Sequence, residues 1–149
     1  MDAEVVWQVL NDIPDPELPV VSLVELGIVR AVDVLPGKIV VTITPTFAGC
    51  PAQHVMQDAI VERLRQQTDA PIEVVTTLSP PWTSNWIMDE ARDKLRAFGI
   101  APAPRHSGNV MLLEPATCPH CASTHTRLRI PFGPTPCRMI YTCDACGQP

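Results

Sequence analysis

Residues 39–51 read Ile39-Val40-Val41-Thr42-Ile43-Thr44-Pro45-Thr46-Phe47-Ala48-Gly49-Cys50-Pro51. The first five are all β-branched, which favours an extended strand. The next eight hold two prolines and a glycine, the composition of a loop. Beyond them a helix is expected over residues 51–66. Its apolar face would be Val55, Met56, Ala59, Ile60 and Leu64. Pro51 suits a first helical position, where its missing N–H would be unpaired anyway. Cys50 then stands immediately before a helix N-terminus.

Working outward, residues 28–34 are a second strand, and Pro36-Gly37 supplies the turn between the two. Residues 72–78 form a third strand. Residues 3–13 place Val5, Val6, Val9, Leu10 and Ile13 on one side of a helix, which Pro14 and Pro16 end. Residues 85–98 form another helix, with Ile87, Ala91, Leu95 and Phe98 inward, an exposed Glu90–Lys94 pair and Gly99 just past its end. Strands and helices mix without regular alternation, so the expected class is α+β. Two helices would pack on a small three-stranded mixed sheet, with a further N-terminal helix.

The C-terminal quarter is of another kind. Cys118 and Cys121 make one C-x-x-C and Cys143 and Cys146 another, with 21 residues between them. Two such loops can aim four thiolates at one point, so the spacing predicts a bound metal in a zinc-ribbon-like module. Short strands at 110–113, 124–130 and 138–142 would surround it. The expected organisation is a domain over 1–100, a linker over 101–109 and the ribbon over 110–149. Zinc is the default ion for a closed four-thiolate site; an iron–sulfur cluster uses the same ligands. Cys137 is a candidate extra ligand, with a buried thiol as the alternative. His120 and His125 read as exposed polar residues beside a completed ligand set.

The length of 149 residues suits one compact domain of about 100 residues plus a small module. Hydrophobic residues make up 46%, enough for a core. The net charge of −5 argues against general nucleic-acid binding. Residues 1–116 carry −7 and residues 117–149 carry +2. Four thiolates with one divalent ion add −2 and neutralise that tail. The start lacks the basic and apolar pattern of a signal peptide, and no apolar run nears the roughly 20 residues that cross a bilayer. A cytoplasmic location is expected, where thiols stay reduced.

Cys50 is the second chemical candidate. At a helix start its thiolate would be favoured, making it a nucleophile or a soft-metal ligand. Its bland alternative is a packed small side chain. Asp15 and Glu17 would bring carboxylates near Cys50 if their loops share an edge; otherwise they are a solvated turn. Trp82 is expected exposed on its proline-stiffened loop, as a partner surface, and Trp86 partly buried.

Asp15-Pro16-Glu17-Leu18-Pro19, Leu26-Gly27-Ile28-Val29, Thr44-Pro45-Thr46 through Cys50-Pro51, and Pro81-Trp82-Thr83 resemble the signature of the MIP/SufT-type domain. That domain is linked to iron–sulfur cluster assembly, and the resemblance spans about residues 3–100. Cys118-Pro119-His120-Cys121, Phe132-Gly133 through Cys137, and Tyr141-Thr142-Cys143-Asp144-Ala145-Cys146-Gly147 resemble the PaaD family. This is the D component associated with phenylacetyl-CoA epoxidase in aerobic phenylacetate degradation. Such chains usually run on past the second cysteine pair, whereas this one stops at Pro149.

The resemblance implies an accessory or maturation role rather than catalysis by the chain itself. Its partners would be the oxygenase and reductase components, and homodimerisation stays open. Cys50 would be a transient iron–sulfur ligand with Asp15 and Glu17 as helpers. The ribbon would be structural or a docking surface. Consistent with this, the chain has no dinucleotide fingerprint and no Glu-x-x-His pairs for a di-iron site. The alternative is a structural or regulatory subunit bound through the ribbon and Trp82, without metal transfer. A thiol enzyme would need a base, and His54 reads as a surface residue.

Overall fold

The computed structural model describes residues 1–105 and 115–149. The strand expected at 110–113 lies outside the described residues, as does part of the expected linker. The chain forms two compact units, Met1–Met88 and Asp89–Pro149.

In the first unit, α1 (Ala3–Asn11) opens on Asp2, whose carboxylate caps the Val5 N–H at 3.0 Å. It buries Val6 and Leu10, one turn apart; Ile13 is buried just beyond it, while Val5 is exposed. β1 (Val29–Leu35) and β2 (Lys38–Ile43) are antiparallel. Their turn has Pro36 followed by Gly37 at φ +88°, the positive φ that a type II turn requires of its third residue. After β2 the chain crosses through α2 (Gln53–Arg65) to β3 (Ile72–Thr76), which pairs with β2 in parallel. The sheet order is β1-β2-β3, a mixed sheet as expected. Central β2 buries Ile39, Val41 and Ile43 on one face, and α2 buries Met56, Ile60 and Leu64 at i, i+4, i+8. α1 touches β1 and α2, and α2 touches β3, so the core lies between the helices and the sheet. Val55, expected on the α2 apolar face, points to solvent.

The helix expected over 85–98 is broken. Residues Ser84–Trp86 make one 3-10 turn capped by the Thr83 hydroxyl, Ile87 is extended, and α3 runs only over Asp89–Ala97. The cause is long-range: the Met88 N–H donates to the Glu25 carbonyl at 2.9 Å, which pulls the chain out of helical geometry. Ile87 is buried as expected, whereas Phe98 is exposed.

In the second unit α3 buries Ala91, Arg92 and Leu95, and Arg92 donates to the Ala103 carbonyl at 2.7 Å. β4 (Thr126–Ile130) and β5 (Ile140–Cys143) form an antiparallel ribbon. Within residues 115–149 the buried side chains are Cys118 and Cys143.

Candidate metal centre and the Cys50 loop

The ribbon's cysteines converge. The thiols of Cys118, Cys121, Cys143 and Cys146 all lie within 4.8 Å of one another. Cys118 Sγ stands 3.7 Å from Cys146 Sγ, and Cys121 Sγ 3.6 Å from Cys143 Sγ. A tetrahedron with metal–sulfur bonds of about 2.3 Å has edges of about 3.8 Å. The donor set therefore fits one four-coordinate ion.

Two matching turns produce this geometry. In the first, the Ala122 N–H donates to the Cys118 carbonyl at 2.9 Å and the Cys118 N–H to the Ser123 carbonyl at 2.8 Å. In the second, the Gly147 N–H donates to the Cys143 carbonyl and the Cys143 N–H to the Gln148 carbonyl, both at 2.9 Å. The fourth residue after each leading cysteine has positive φ: Ala122 at 62° and Gly147 at 76°. Glycine tolerates that conformation, and alanine adopts it at a cost. Sequence spacing located the cysteine cluster but gave no sign of this left-handed alanine.

Backbone amides aim at the sulfurs. Cys143 accepts from the amides of Cys146 and Ala145, which bring its pKa down to about 6. At Cys121 the Ser123 amide pulls downward, but burial and hydrogen bonds to the three other thiols outweigh it and push the pKa up to about 12. Amides directed at sulfur are the hydrogen bonds that suit thiolate ligands, and they accompany a spacing that fits one ion.

Cys137 stands outside this group, exposed, with its sulfur 3.2 Å from Thr135 Oγ1. His120 and His125 are exposed on the ribbon.

The residues singled out in the first unit sit in two loops. Asp15 closes a turn: its Oδ1 accepts from the N–H groups of Glu17 and Leu18 at 2.9 and 2.8 Å. Asp15 and Glu17 are both half-buried. Cys50 is half-buried too, in the loop from β2 to α2. It does not directly precede the helix. The Cys50 N–H bonds to Phe47 and its carbonyl accepts from Gln53, so residues 50–52 form a turn and Ala52 becomes the N-cap. Pro51 thus precedes the cap instead of opening the helix. Among the described residues no side chain caps this helix start; instead Gln53 and Gln57 both donate to Thr76 Oγ1, at 3.0 and 3.1 Å. Thr44, at the head of the loop, is buried, and its hydroxyl has no hydrogen-bond partner among the described residues.

Trp82 is half-buried rather than exposed. Its indole N–H donates to the Leu26 carbonyl at 2.9 Å, a partner 56 positions away. Next to it, Gly27 has φ +70°, and a Cβ there would meet Trp86 Cβ at 2.6 Å. The Leu26-Gly27-Ile28-Val29 stretch is therefore glycine-dependent because Trp86 packs on it. The bulge between Val29 and Ala31 turns Arg30 outward, over the Trp86 ring at 3.6 Å. Ser22 and Glu25 bond reciprocally, Ser22 N–H to Glu25 Oε2 at 2.8 Å and Glu25 N–H to Ser22 Oγ at 3.0 Å. The Ser-x-x-Glu spacing is a capping-box signal that could have revealed this turn.

Two family models match this chain. The one described as "Iron-sulfur cluster assembly protein" covers residues 3–76, and the one described as "PaaD zinc beta ribbon domain" covers residues 104–149. The chain is 42% identical over 97% of its length to a putative 1,2-phenylacetyl-CoA epoxidase component, the D component, of Escherichia coli, covering 87% of that protein. It belongs to the PaaD family. A second relative of this PaaD-family chain is an "Fe-S protein maturation auxiliary factor" of Porphyromonas gingivalis, 31% identical over 94 residues. That match covers 59% of this chain and 85% of the relative. Among solved structures, a domain of unknown function from Bacillus anthracis matches at TM-score 0.58 and 28% identity. It covers 62% of this chain and 89% of the other. A conserved hypothetical protein from Thermotoga maritima matches at TM-score 0.55 and 27% identity, over 64% and 94% of the two chains. The assembly-type match includes Asp15, Glu17 and Cys50 and ends before Trp82. No helix among the described residues of the PaaD-family chain is long and apolar enough to cross a membrane.

Proposed function

We propose that this PaaD-family chain is an accessory factor of a phenylacetyl-CoA epoxidase system. It assists the insertion of iron or an iron–sulfur cluster into the oxygenase or reductase component. One observation carries the reading: an assembly-type domain and a PaaD ribbon occur in a single chain that matches the D component of an epoxidase along 97% of its length.

In this reading the two thiol sites divide the work. The ribbon holds a resident ion through Cys118, Cys121, Cys143 and Cys146. Zinc is favoured because the sulfurs are spaced for one ion, whereas a cluster inserts several irons among its ligands and spreads them. A closed zinc site supplies structure, not reactivity. Cys50 is the cargo site. Its thiol lies in a partly accessible loop and offers a soft ligand to iron as a substrate in transit. Asp15 and Glu17 are assigned as its helpers, with Asp15 also holding its own turn in shape.

The test is to produce the oxygenase and reductase components together with wild type or Cys50→Ala and to measure their iron. The variant chain should fold normally and leave a component short of iron. Full iron occupancy in both would overturn the transfer role. A second reading, a structural component that binds the epoxidase without moving metal, is favoured by the naming of the Escherichia coli relative as part of the epoxidase itself. It predicts stable co-purification that is indifferent to Cys50→Ala.

A further inference from the structure

The ribbon hairpin ends in an exposed apolar tip. Phe132 is 68% exposed, Met139 49% and Ile130 47%. Ile130 ends β4, and Phe132 and Met139 lie in the loop between β4 and β5, where Pro131, Pro134 and Pro136 restrict the backbone. The loop is ordered from within. The Gly133 N–H donates to the Arg138 carbonyl at 2.6 Å, the Arg138 N–H to the Thr135 carbonyl at 3.2 Å, and Arg138 Nε to Thr135 Oγ1 at 3.3 Å. A stiff loop that already presents an aromatic ring loses little freedom on binding.

Charge says what kind of surface it meets. Residues 115–143 contain no Asp or Glu. Asp144, the one acid among residues 115–149, is held by Arg127 at 2.8 Å. Arg129 and Arg138 have no ion pair among the described residues, and Arg129 is exposed. The four thiolates lie at the other end of the ribbon, where Thr126 pairs with Cys143, whereas Ile130 pairs with Ile140 at the tip. The ribbon is therefore polarised, with the cationic and apolar groups together at one end.

We propose that this tip docks the chain onto an epoxidase component, with Phe132 as anchor in an apolar recess and Arg129 and Arg138 facing an acidic rim. The inference rests on the accessory reading above and names the surface by which that role is exercised. Aromatic and arginine side chains grouped in this way are the residue types that dominate binding energy at interfaces.

The test uses the full metal-loaded chain and the purified oxygenase and reductase components, with affinity measured at low and high salt. Wild type should bind one component, more weakly at about 300 mM than at about 50 mM salt, because screening shortens the reach of the arginines. Phe132→Ala should weaken binding about tenfold or more. Arg129→Glu should weaken it and flatten the salt dependence. Both variants should keep the wild-type metal content. Wild-type affinity in both variants overturns the docking surface and leaves the accessory role standing. Failure of wild type to bind either component overturns both. Self-association abolished by Phe132→Ala would assign the tip to a second copy, and salt-sensitive binding to duplex DNA would assign it to nucleic acid; each overturns the proposal.

Discussion

The two ends of this chain fold by different means. The first unit builds a core from carbon: Val6, Leu10, Ile39, Val41, Ile43, Met56, Ile60 and Leu64 are almost wholly buried between two helices and a sheet. In the ribbon, residues 115–149, the two buried side chains are both cysteines of the metal centre. Burial of apolar surface stabilises the first by about 25 cal/mol per Å². The second has little of that term, and its four cysteines converge closely enough to hold one ion, the element that supplies the folding energy of small metal-binding modules. Stability and chemistry are thereby separated. The ribbon's thiols are gathered at one point, whereas Cys50 lies half-buried in a loop outside the apolar core of its unit.

The strongest way to break this contrast is to remove the metal. Structural zinc supplies about 10–16 kcal/mol in small modules. Chelation, or Cys143→Ser, should unfold residues 115–149 while the first unit keeps its structure. Limited proteolysis followed by mass spectrometry would read this out as cleavage confined to the ribbon. Uniform resistance would mean that the ribbon has an apolar core after all. Acid should act in the same direction as chelation, because protons compete with the ion for the thiolates. Next in size, Ile60→Ala removes a fully buried side chain from the first unit and should cost about 2–5 kcal/mol in denaturant unfolding. Metal content should not change; metal loss in this variant would show that the two folding mechanisms are coupled. The smallest effect compares the two cysteine turns. Ala122→Gly removes the left-handed alanine penalty and should stabilise the ribbon by about 1 kcal/mol, seen as slower metal loss to a chelator. Faster loss would show that the methyl group is needed where it stands.

Much of the fold was legible because its signals are local. Five β-branched residues in a row made β2, and Pro36-Gly37 made the hairpin turn. Apolar spacing found the α2 face at Met56, Ile60 and Leu64, but also offered Val55, which is exposed. The periodicity of α2 is real but broad, and only the neighbouring sheet selects which stripe is covered. The same holds at Phe98, which continues the α3 pattern and ends in solvent.

By itself, then, the sequence determined the mixed α+β architecture and which four cysteines converge. Both follow from chemistry at fixed, short separations along the chain: β-branching, turn residues and paired C-x-x-C spacing. Tertiary structure alone decided where α3 starts and how far Trp82 is covered. Glu25 takes the Met88 amide and breaks the expected helix, and Leu26 takes the Trp82 indole N–H and draws that ring inward. Each of these bonds joins groups far apart along the chain, 56 positions in the case of Trp82. A backbone carbonyl carries no residue-specific mark in the sequence, so only the folded chain could show which distant donor it accepts.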